Sequence, residues 1–311
     1  MGNDSFYHTP PVTSRRPPRT LAIVRELRPG PTQDSVVDFY DRHPINEAQV
    51  LESARSRSGR AGGPLAPEDL WAWDQDHYGG LQAVEALARR AAITPGMTVL
   101  DVCAGLGGPA RFLAHRFGVR VTAVDLTHSR CAAGARLTAL VRLAPRVHLL
   151  RADAQVLPFR ARAFDAAVSQ EGLLHVPDKA AVLRECARVL KPGGRLAFSD
   201  WVARPRLEAN ERQRLEAWMA AVTLQSIAGY RALLARTGFG AVEAEDLSAE
   251  WIGILRERLR MYRGMRAQTV ARFGPARYDE YNQLYAFFVG LVEAGKLGGA
   301  RFSGTADRSL S

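Results

Sequence analysis

The stretch that most constrains this chain is Thr98-Val99-Leu100-Asp101-Val102-Cys103-Ala104-Gly105-Leu106-Gly107-Gly108-Pro109-Ala110. A β-type apolar run carries one acidic residue, a glycine cluster follows, and Pro109 opens a helical pattern. Strand, glycine turn and helix start together make the nucleotide-binding corner of a parallel α/β sheet. Glycines at 105, 107 and 108 let a ligand approach the main chain without meeting a Cβ. Pro109 suits a first helical position, whose N–H has no intrahelical partner. Alone the corner fits a dinucleotide fingerprint, another nucleotide site, or a tight turn with no ligand.

The rest of the chain repeats the same alternation. Strands are predicted at Thr98–Val102, Arg120–Asp125, Val147–Arg151, Phe164–Ser169, Arg195–Ser199 and Ala241–Leu247, with a last one near Gly298–Gly304. Helical patterns at Pro109–Phe117, Ser129–Leu143, Lys179–Leu190 and Gly229–Thr237 separate most of them. This βαβ order forces a parallel sheet covered on both faces. We therefore expect an α/β, Rossmann-like, seven-stranded and mostly parallel sheet. Residues 1–34, rich in Pro and Arg, read as a disordered tail, and 35–95 as an N-terminal helical cap. Residues 96–311 read as the Rossmann-like domain, with a helical insertion at about 250–295. Within the cap, Val36–Glu52 has helical spacing, and Ser53–Pro64 is small, basic and glycine-rich, as a loop would be. The segment Glu68–Gly80 holds Trp71, Trp73, Asp74, Asp76, His77 and Tyr78, a helix with Gly79-Gly80 as its stop.

Asp125 stands 20 residues after Gly105, at the end of the second strand. A carboxylate there accepts from both ribose hydroxyls. Asp101, just before the glycine turn, suits an ammonium or ribose group, whereas a pyrophosphate wants that end electropositive. Asp153-Ala154, after the third strand, is placed to meet an adenine amino group. These features favour S-adenosylmethionine over NAD.

With those residues in view, the chain resembles the class I S-adenosylmethionine-dependent methyltransferases. The resemblance rests on Val-Leu-Asp-x-x-x-Gly-x-Gly-Gly (99–108), Ala123-Val124-Asp125, Asp153-Ala154, Leu157-Pro158-Phe159 and Arg188-Val189-Leu190-Lys191-Pro192-Gly193-Gly194. It covers about residues 80–250. It implies S-adenosyl-L-methionine as cofactor and a set of binding residues. Asp101, Ala104, Gly105, Gly107 and Gly108 would serve the methionine and ribose end. Asp125 with Leu126 would hold the ribose, Asp153 with Ala154 the adenine, and Gln170 would lie near the sulfonium. Cys103 departs from the pattern, where a glycine is usual. Ser169-Gln170-Glu171-Gly172-Leu173-Leu174-His175 and Gly298–Phe302 resemble, more loosely, the sarcosine/dimethylglycine N-methyltransferases and their phosphoethanolamine and tocopherol-type relatives.

The acceptor is read partly from what is missing. No cysteine follows a proline, no Asn-Pro-Pro-Tyr run follows the fourth strand, and Glu171 has no paired glutamate. RNA cytosine, base-amino and protein-arginine methylation are thereby disfavoured, leaving a small-molecule acceptor. The net charge of +10 comes from arginines spread along the chain, with only three lysines, so no nucleic-acid surface is expected. No run approaches the roughly 18–20 apolar residues of a membrane span, and the N-terminus lacks a signal pattern. Three scattered cysteines give neither metal spacing nor a disulfide framework. We expect a cytoplasmic enzyme without membrane or metal. His77, Glu171 and His175 are the candidate catalytic groups. Trp71, Trp73, Asp76 and Tyr78 are candidates for binding the acceptor, as a cage for a methylated ammonium. An amine nitrogen is the preferred acceptor; a carbon or oxygen acceptor is the alternative, and cofactor binding without catalysis is the third reading.

Overall fold

Periodicity of two in the strands and 3.6 in the intervening helices builds one sheet with two buried faces. The computed structural model describes residues 33–41, 43, 45–58 and 63–307; most of the expected tail, 1–32, lies outside the described residues. The order is α1 (Gln33–Asp41), α2 (Glu47–Ser58), α3 (Pro67–Leu70), α4 (Gly80–Arg90), β1 (Thr98–Val102), α5 (Gly108–Phe117), β2 (Arg120–Asp125), α6 (His128–Leu140), β3 (Val147–Arg151) and β4 (Phe164–Gln170). After a short 3₁₀ turn at Leu173–His175 come α7 (Lys179–Val189), β5 (Leu190–Ala203), α8 (Ala209–Met219), α9 (Ile227–Arg236) and β6 (Phe239–Asp246). Helices α10 (Ser248–Gly264), α11 (Arg266–Phe273) and α12 (Pro275–Glu293) precede β7 (Leu297–Ala306).

The seven-stranded sheet runs β3-β2-β1-β4-β5-β7-β6. Strands β1 to β5 pair in parallel, and β7 runs antiparallel between β5 and β6. The chain reverses direction of growth between β1 and β4, where a crevice opens at the carboxyl edge of such sheets. Alternate residues of each strand go to opposite cores. Val99, Val121, Ala123 and Val168 pack under α4 and α5, while Leu100, Val124, Ala167 and Phe198 pack with α7 and α9 residues. A third core joins Tyr78, Trp201 and Trp251 to the helical insertion.

Local reading missed four boundaries. Val36–Glu52 is two helices, with Pro44, which lacks a backbone donor, in the sequence between them. The expected loop at 53–64 is helical as far as Ser58, because Val50 and Ala54 bury one turn apart. Of Glu68–Gly80 only the first residues are helical. Gly79, at φ +81°, is the N-cap of α4 rather than the end of a helix. Lys191–Gly194 belongs to β5, with a register irregularity between Phe164 and Ala166 opposite it. Among the described residues no helix is long and apolar enough to cross a membrane.

The joint between the N-terminal segment and the sheet is polar and buried. Arg111 of α5 donates through Nη2 to Asp74 Oδ2 at 2.9 Å, with both side chains sealed from water. Removing one partner of such a pair strands the other charge at a cost of about 3–5 kcal/mol. Asp74→Ala is accordingly expected to lower unfolding free energy by about that amount in urea titrations followed by tryptophan fluorescence. A loss below about 1 kcal/mol, the range of an exposed pair, would show the joint open to solvent.

Candidate active site

The corner is built by β1 and β2. Asp125, at the end of β2, accepts the Gly105 N–H on Oδ2 and the Thr127 N–H on Oδ1, both at 2.8 Å. Ala104 donates its N–H to Val124 O at 2.9 Å. The loop therefore curls around the carboxylate of the neighbouring strand. Gly105 and Gly107 take φ of +55° and +73°, the region that favours glycine. Cys103 takes φ +59°, a conformation that costs a non-glycine residue about 1–2 kcal/mol. Gly108 is used differently: a Cβ there would stand 2.0 Å from Asp74 O, so its missing side chain admits the protein rather than a ligand.

A cleft opens between this corner and α1, with Val36 of the helix on its rim. Cys103, Asp125, Leu126, Asp153, Ala154 and His175 are among its lining residues. Gln155 folds back on Asp153, donating its backbone N–H to Oδ1 at 2.8 Å. On β1 and at the end of β4, Asp101 Oδ2 and Gln170 Oε1 are among the buried side-chain polar atoms without a hydrogen-bond partner. Orphaned acceptors at the carboxyl ends of β1 and β4, where such sheets bind ligands, suit a ligand's polar groups. Burial, with the Asp125 charge second, pushes the Asp101 carboxyl up to about 8. An acceptor set of Asp101, Asp125 and Gln170 fits a ligand that brings an ammonium, a ribose diol and a cationic sulfur. These residues therefore fit S-adenosylmethionine.

The other wall is the turn after β4. Glu171, at φ +51°, accepts the Tyr78 N–H on Oε1 at 2.7 Å. Burial pushes its carboxyl up to about 8. His175 is fixed from both sides. Its Nδ1–H donates to Ala220 O at 2.9 Å, since a carbonyl only accepts, and this leaves the Nε2 lone pair for the Tyr40 O–H at 2.8 Å. Burial lowers His175 to about 4 and raises Tyr40 above its ordinary range, so the pair is neutral imidazole and phenol. The turn is held from below by Lys179, buried, which donates to Leu173 O at 2.5 Å, Val176 O at 3.2 Å and Thr223 O at 3.0 Å. Asp200 accepts the Leu174 N–H at 3.3 Å and the Tyr230 hydroxyl.

Not every expected residue comes to this cleft. Trp71 packs edge-on against Phe112 and His115, with ring centroids 5.2 and 5.7 Å apart. Trp73 packs into the core beneath α5. The Trp71 ring is thus occupied by α5 and Trp73 by the core, and no ring contact joins either to Tyr78 or His175 among the described residues. Tyr78 is buried between Trp201 and Trp251, with the Arg258 guanidinium 4.4 Å from its ring centre, so its ring is taken up by protein. Asp76 faces His43 at 3.4 Å. His77, expected as a base, has both ring nitrogens engaged: Nε2 with Gln75 Oε1 at 3.0 Å and Nδ1 with Gln170 Nε2 at 3.2 Å. Burial lowers it to about 4. Sequence reasoning missed Tyr40, whose partner is 135 residues away and leaves no local signal. It also missed Arg111, for which a signal existed: an arginine inside the apolar run Ala110–Ala114. Among the described residues no group of side chains has metal-ligand geometry.

Residues 100–198 match the family model described as a methyltransferase domain. The chain is 29% identical over 229 residues to the glycine/sarcosine/dimethylglycine N-methyltransferase of Actinopolyspora halophila, matching 70% of this chain and 39% of that protein. It thus spans well under two thirds of that relative's length. It is 31% identical over 233 residues to the 2-methyl-6-phytyl-1,4-hydroquinone methyltransferase of Synechocystis sp., 71% of this chain and 69% of that one. It shares its fold with phosphoethanolamine N-methyltransferase 2 of Haemonchus contortus, at a TM-score of 0.72 and 21% identity over 88% of this chain and 61% of the other. The relationship to the Synechocystis protein makes the chain a member of the class I S-adenosylmethionine-dependent methyltransferase family.

Proposed function

We propose that this protein transfers a methyl group from S-adenosylmethionine to a small molecule, with an amine nitrogen as the preferred acceptor. The observation that carries this reading is the pair of orphaned buried oxygens, Asp101 Oδ2 and Gln170 Oε1, beside the Asp125-anchored glycine loop. When bound, S-adenosylmethionine supplies an electrophilic methyl on a cationic sulfur. The chain's own residues then have three tasks. Asp101, Asp125 and the 103–108 loop orient the cofactor. Asp153, Ala154 and Leu126 enclose its other end. Helix α1 closes over the cleft through Tyr40 and excludes water, which would otherwise compete for the methyl and screen the site.

Glu171 is the group that favours an amine. Its carboxyl, pushed up by burial, ionises readily once an ammonium pairs with it. The relatives named for sarcosine/dimethylglycine and phosphoethanolamine N-methylation support the same choice. The Tyr40–His175 pair favours a second reading, in which neutral His175 is the base for an oxygen or carbon acceptor. We further read residues 35–95 as a cap on a 96–311 catalytic domain. The partner is then a small molecule rather than nucleic acid, and the free thiols Cys103, Cys131 and Cys186 suit the cytoplasm.

Labelled methyl transfer into a metabolite extract, followed by mass spectrometry of the product, tests the activity and identifies the acceptor. With that acceptor, Glu171→Gln is expected to lower kcat/KM by about 100-fold and His175→Ala by about tenfold or less, as loss of a charge-assisted contact exceeds loss of an unneeded base. The opposite ranking would establish the oxygen or carbon reading.

Asp101 gives a prediction that needs no acceptor. Its carboxyl is raised above the ordinary range, so the empty folded site holds a proton at pH 7. Pairing with the ammonium of S-adenosylhomocysteine favours the ionised form and expels that proton. Binding calorimetry in buffers of different ionisation enthalpy should find release approaching about one proton at pH 6–7, fading above about pH 8. Asp101→Asn should abolish the release. Tight binding with no buffer dependence would remove Asp101 from the ammonium site.

A further inference from the structure

A chain of buried hydrogen bonds runs from the glycine corner to the end of β4. Arg111 donates through Nε and Nη2 to Asp74 Oδ2 at 3.2 and 2.9 Å. Gln75 Nε2 meets Asp74 Oδ1 at 2.7 Å, Gln75 Oε1 meets His77 Nε2 at 3.0 Å, and His77 Nδ1 meets Gln170 Nε2 at 3.2 Å. Arg111, Asp74, Gln75 and His77 are each no more than 5% exposed.

The direction of every donor in this chain is set at its charged end. A guanidinium only donates, so Asp74 accepts. Gln75 must then turn its NH₂ to the carboxylate, which leaves its oxygen for His77. An amide oxygen only accepts, so His77 carries its proton on Nε2. Nδ1 of the neutral ring is then bare and accepts from the Gln170 NH₂. This tautomer leaves the bare Nδ1 facing Tyr78 O at 3.2 Å, one unfavourable contact; the other would let Nδ1–H donate to Tyr78 O but would set the bare Nε2 against Gln75 Oε1 at 3.0 Å and Nδ1–H against the Gln170 NH₂ at 3.2 Å, two unfavourable contacts. Reversing the Gln75 amide to relieve the first of these would set its oxygen against the Asp74 carboxylate. The far end of the chain is therefore fixed as well: Gln170 turns its oxygen away from His77, and this oxygen is buried with no protein donor. Gln170 ends β4 beside β1, where Ser169 is in register with Val102 and Cys103 follows.

We propose that Arg111, Asp74, Gln75 and His77 are positioning residues that hold the Gln170 amide with its oxygen, not its NH₂, toward the cationic end of the cofactor. The proposal rests on the S-adenosylmethionine reading above. It replaces the expectation of His77 as a base: His77 acts only through Gln170. An amide oxygen there attracts a sulfonium and its polarised methyl, whereas the NH₂ would repel both.

The test compares two cofactor analogues by calorimetry. Sinefungin carries an ammonium where the sulfonium methyl belongs; S-adenosylhomocysteine carries a neutral sulfur. The ratio of their affinities reads the orientation of Gln170 without an acceptor. Gln170→Leu and His77→Phe should each cut the wild-type preference for sinefungin by about tenfold, the size of a hydrogen bond to a charged group. S-adenosylhomocysteine affinity should change much less. The double variant should lose no more than Gln170→Leu alone, because both changes act on one contact. Losses that multiply in the double variant, or an unchanged ratio in His77→Phe, would overturn the proposal. The tautomer of His77 in the unmutated protein, read from its ring ¹⁵N resonances, is a second test that needs no variant to fold. Protonated Nε2 with bare Nδ1 is expected. Protonated Nδ1, with S-adenosylhomocysteine still bound, overturns the relay alone. Absence of analogue binding with the expected tautomer overturns the cofactor reading, and with it the role given to Gln170.

Discussion

The ion pair between Arg111 and Asp74 is the contact on which the remaining geometry hangs. Arg111 leaves α5 one turn after the glycine loop and is sealed from solvent. Besides Asp74 it donates to Leu106 O at 2.7 Å, Gly134 O at 3.3 Å and Thr138 Oγ1 at 3.1 Å. One guanidinium thus ties together the glycine loop, the cap segment at Asp74, and α6. Taking two charges out of water is costly, and only near-complete satisfaction of their donors and acceptors offsets it. Such a joint has few alternative arrangements, so the glycine loop and segment 74–78 behave as one rigid piece. Helix α1 is attached otherwise. Tyr40 bonds His175, the Arg130 guanidinium sits 5.0 Å from the Tyr40 ring centre, and His43 faces Asp76.

Dryness is the second consequence of that joint. The acids of the cleft differ in how many fixed donors they have, and this sorts their roles. Asp125 has two backbone N–H groups, which oppose the upward push that burial gives its carboxyl. Glu171 has one backbone N–H. Asp101 Oδ2 has no donor at all. Asp101 and Glu171, with the fewer donors, are both pushed up to about 8 by burial. An acid in that state answers a cationic ligand by releasing a proton, whereas a donor-rich acid holds a shape. On the proposed reading, Asp125 shapes the loop, while Asp101 and Glu171 take the charge of the cofactor and the acceptor.

Much of this was legible in the chain because the information is local. Thr98–Val102, Arg120–Asp125 and Val147–Arg151 are strands at the residues expected, since buried parallel strands bounded by helices leave an unmistakable period. The corner residues are legible for a related reason: they sit at strand ends, where one position decides whether a side chain enters the crevice. The cap is different. Trp71 and Trp73 are aromatic either way, and nothing in Glu68–Gly80 tells which face meets α5 and which meets the cleft. Tyr40 and His175 meet only through tertiary packing. His77 looks like a base in the sequence and becomes a link in a relay only when Gln75 and Gln170 are seen at its two nitrogens.

The departure at Cys103 shows how such a site absorbs an imperfect residue. Cys103 and Glu171 both take left-handed backbone, φ +59° and +51°, at the ends of adjacent strands β1 and β4. Each costs about 1–2 kcal/mol for a residue with a Cβ, and such strain persists only where the surroundings over-determine it. Here they do. Lys179 and Asp200 fix the turn after Glu171 from beneath, and Asp125 fixes the loop after Cys103. The cysteine side chain then occupies space that another residue must give up. A Cβ on Gly172 would stand 2.3 Å from that of Cys103, so the backbone of the second strained turn passes directly over the first. The glycine missing from the corner at 103 is matched by one at 172. The two positions act as a single packing unit, which lets the corner carry a cysteine without opening the cleft between β1 and β4.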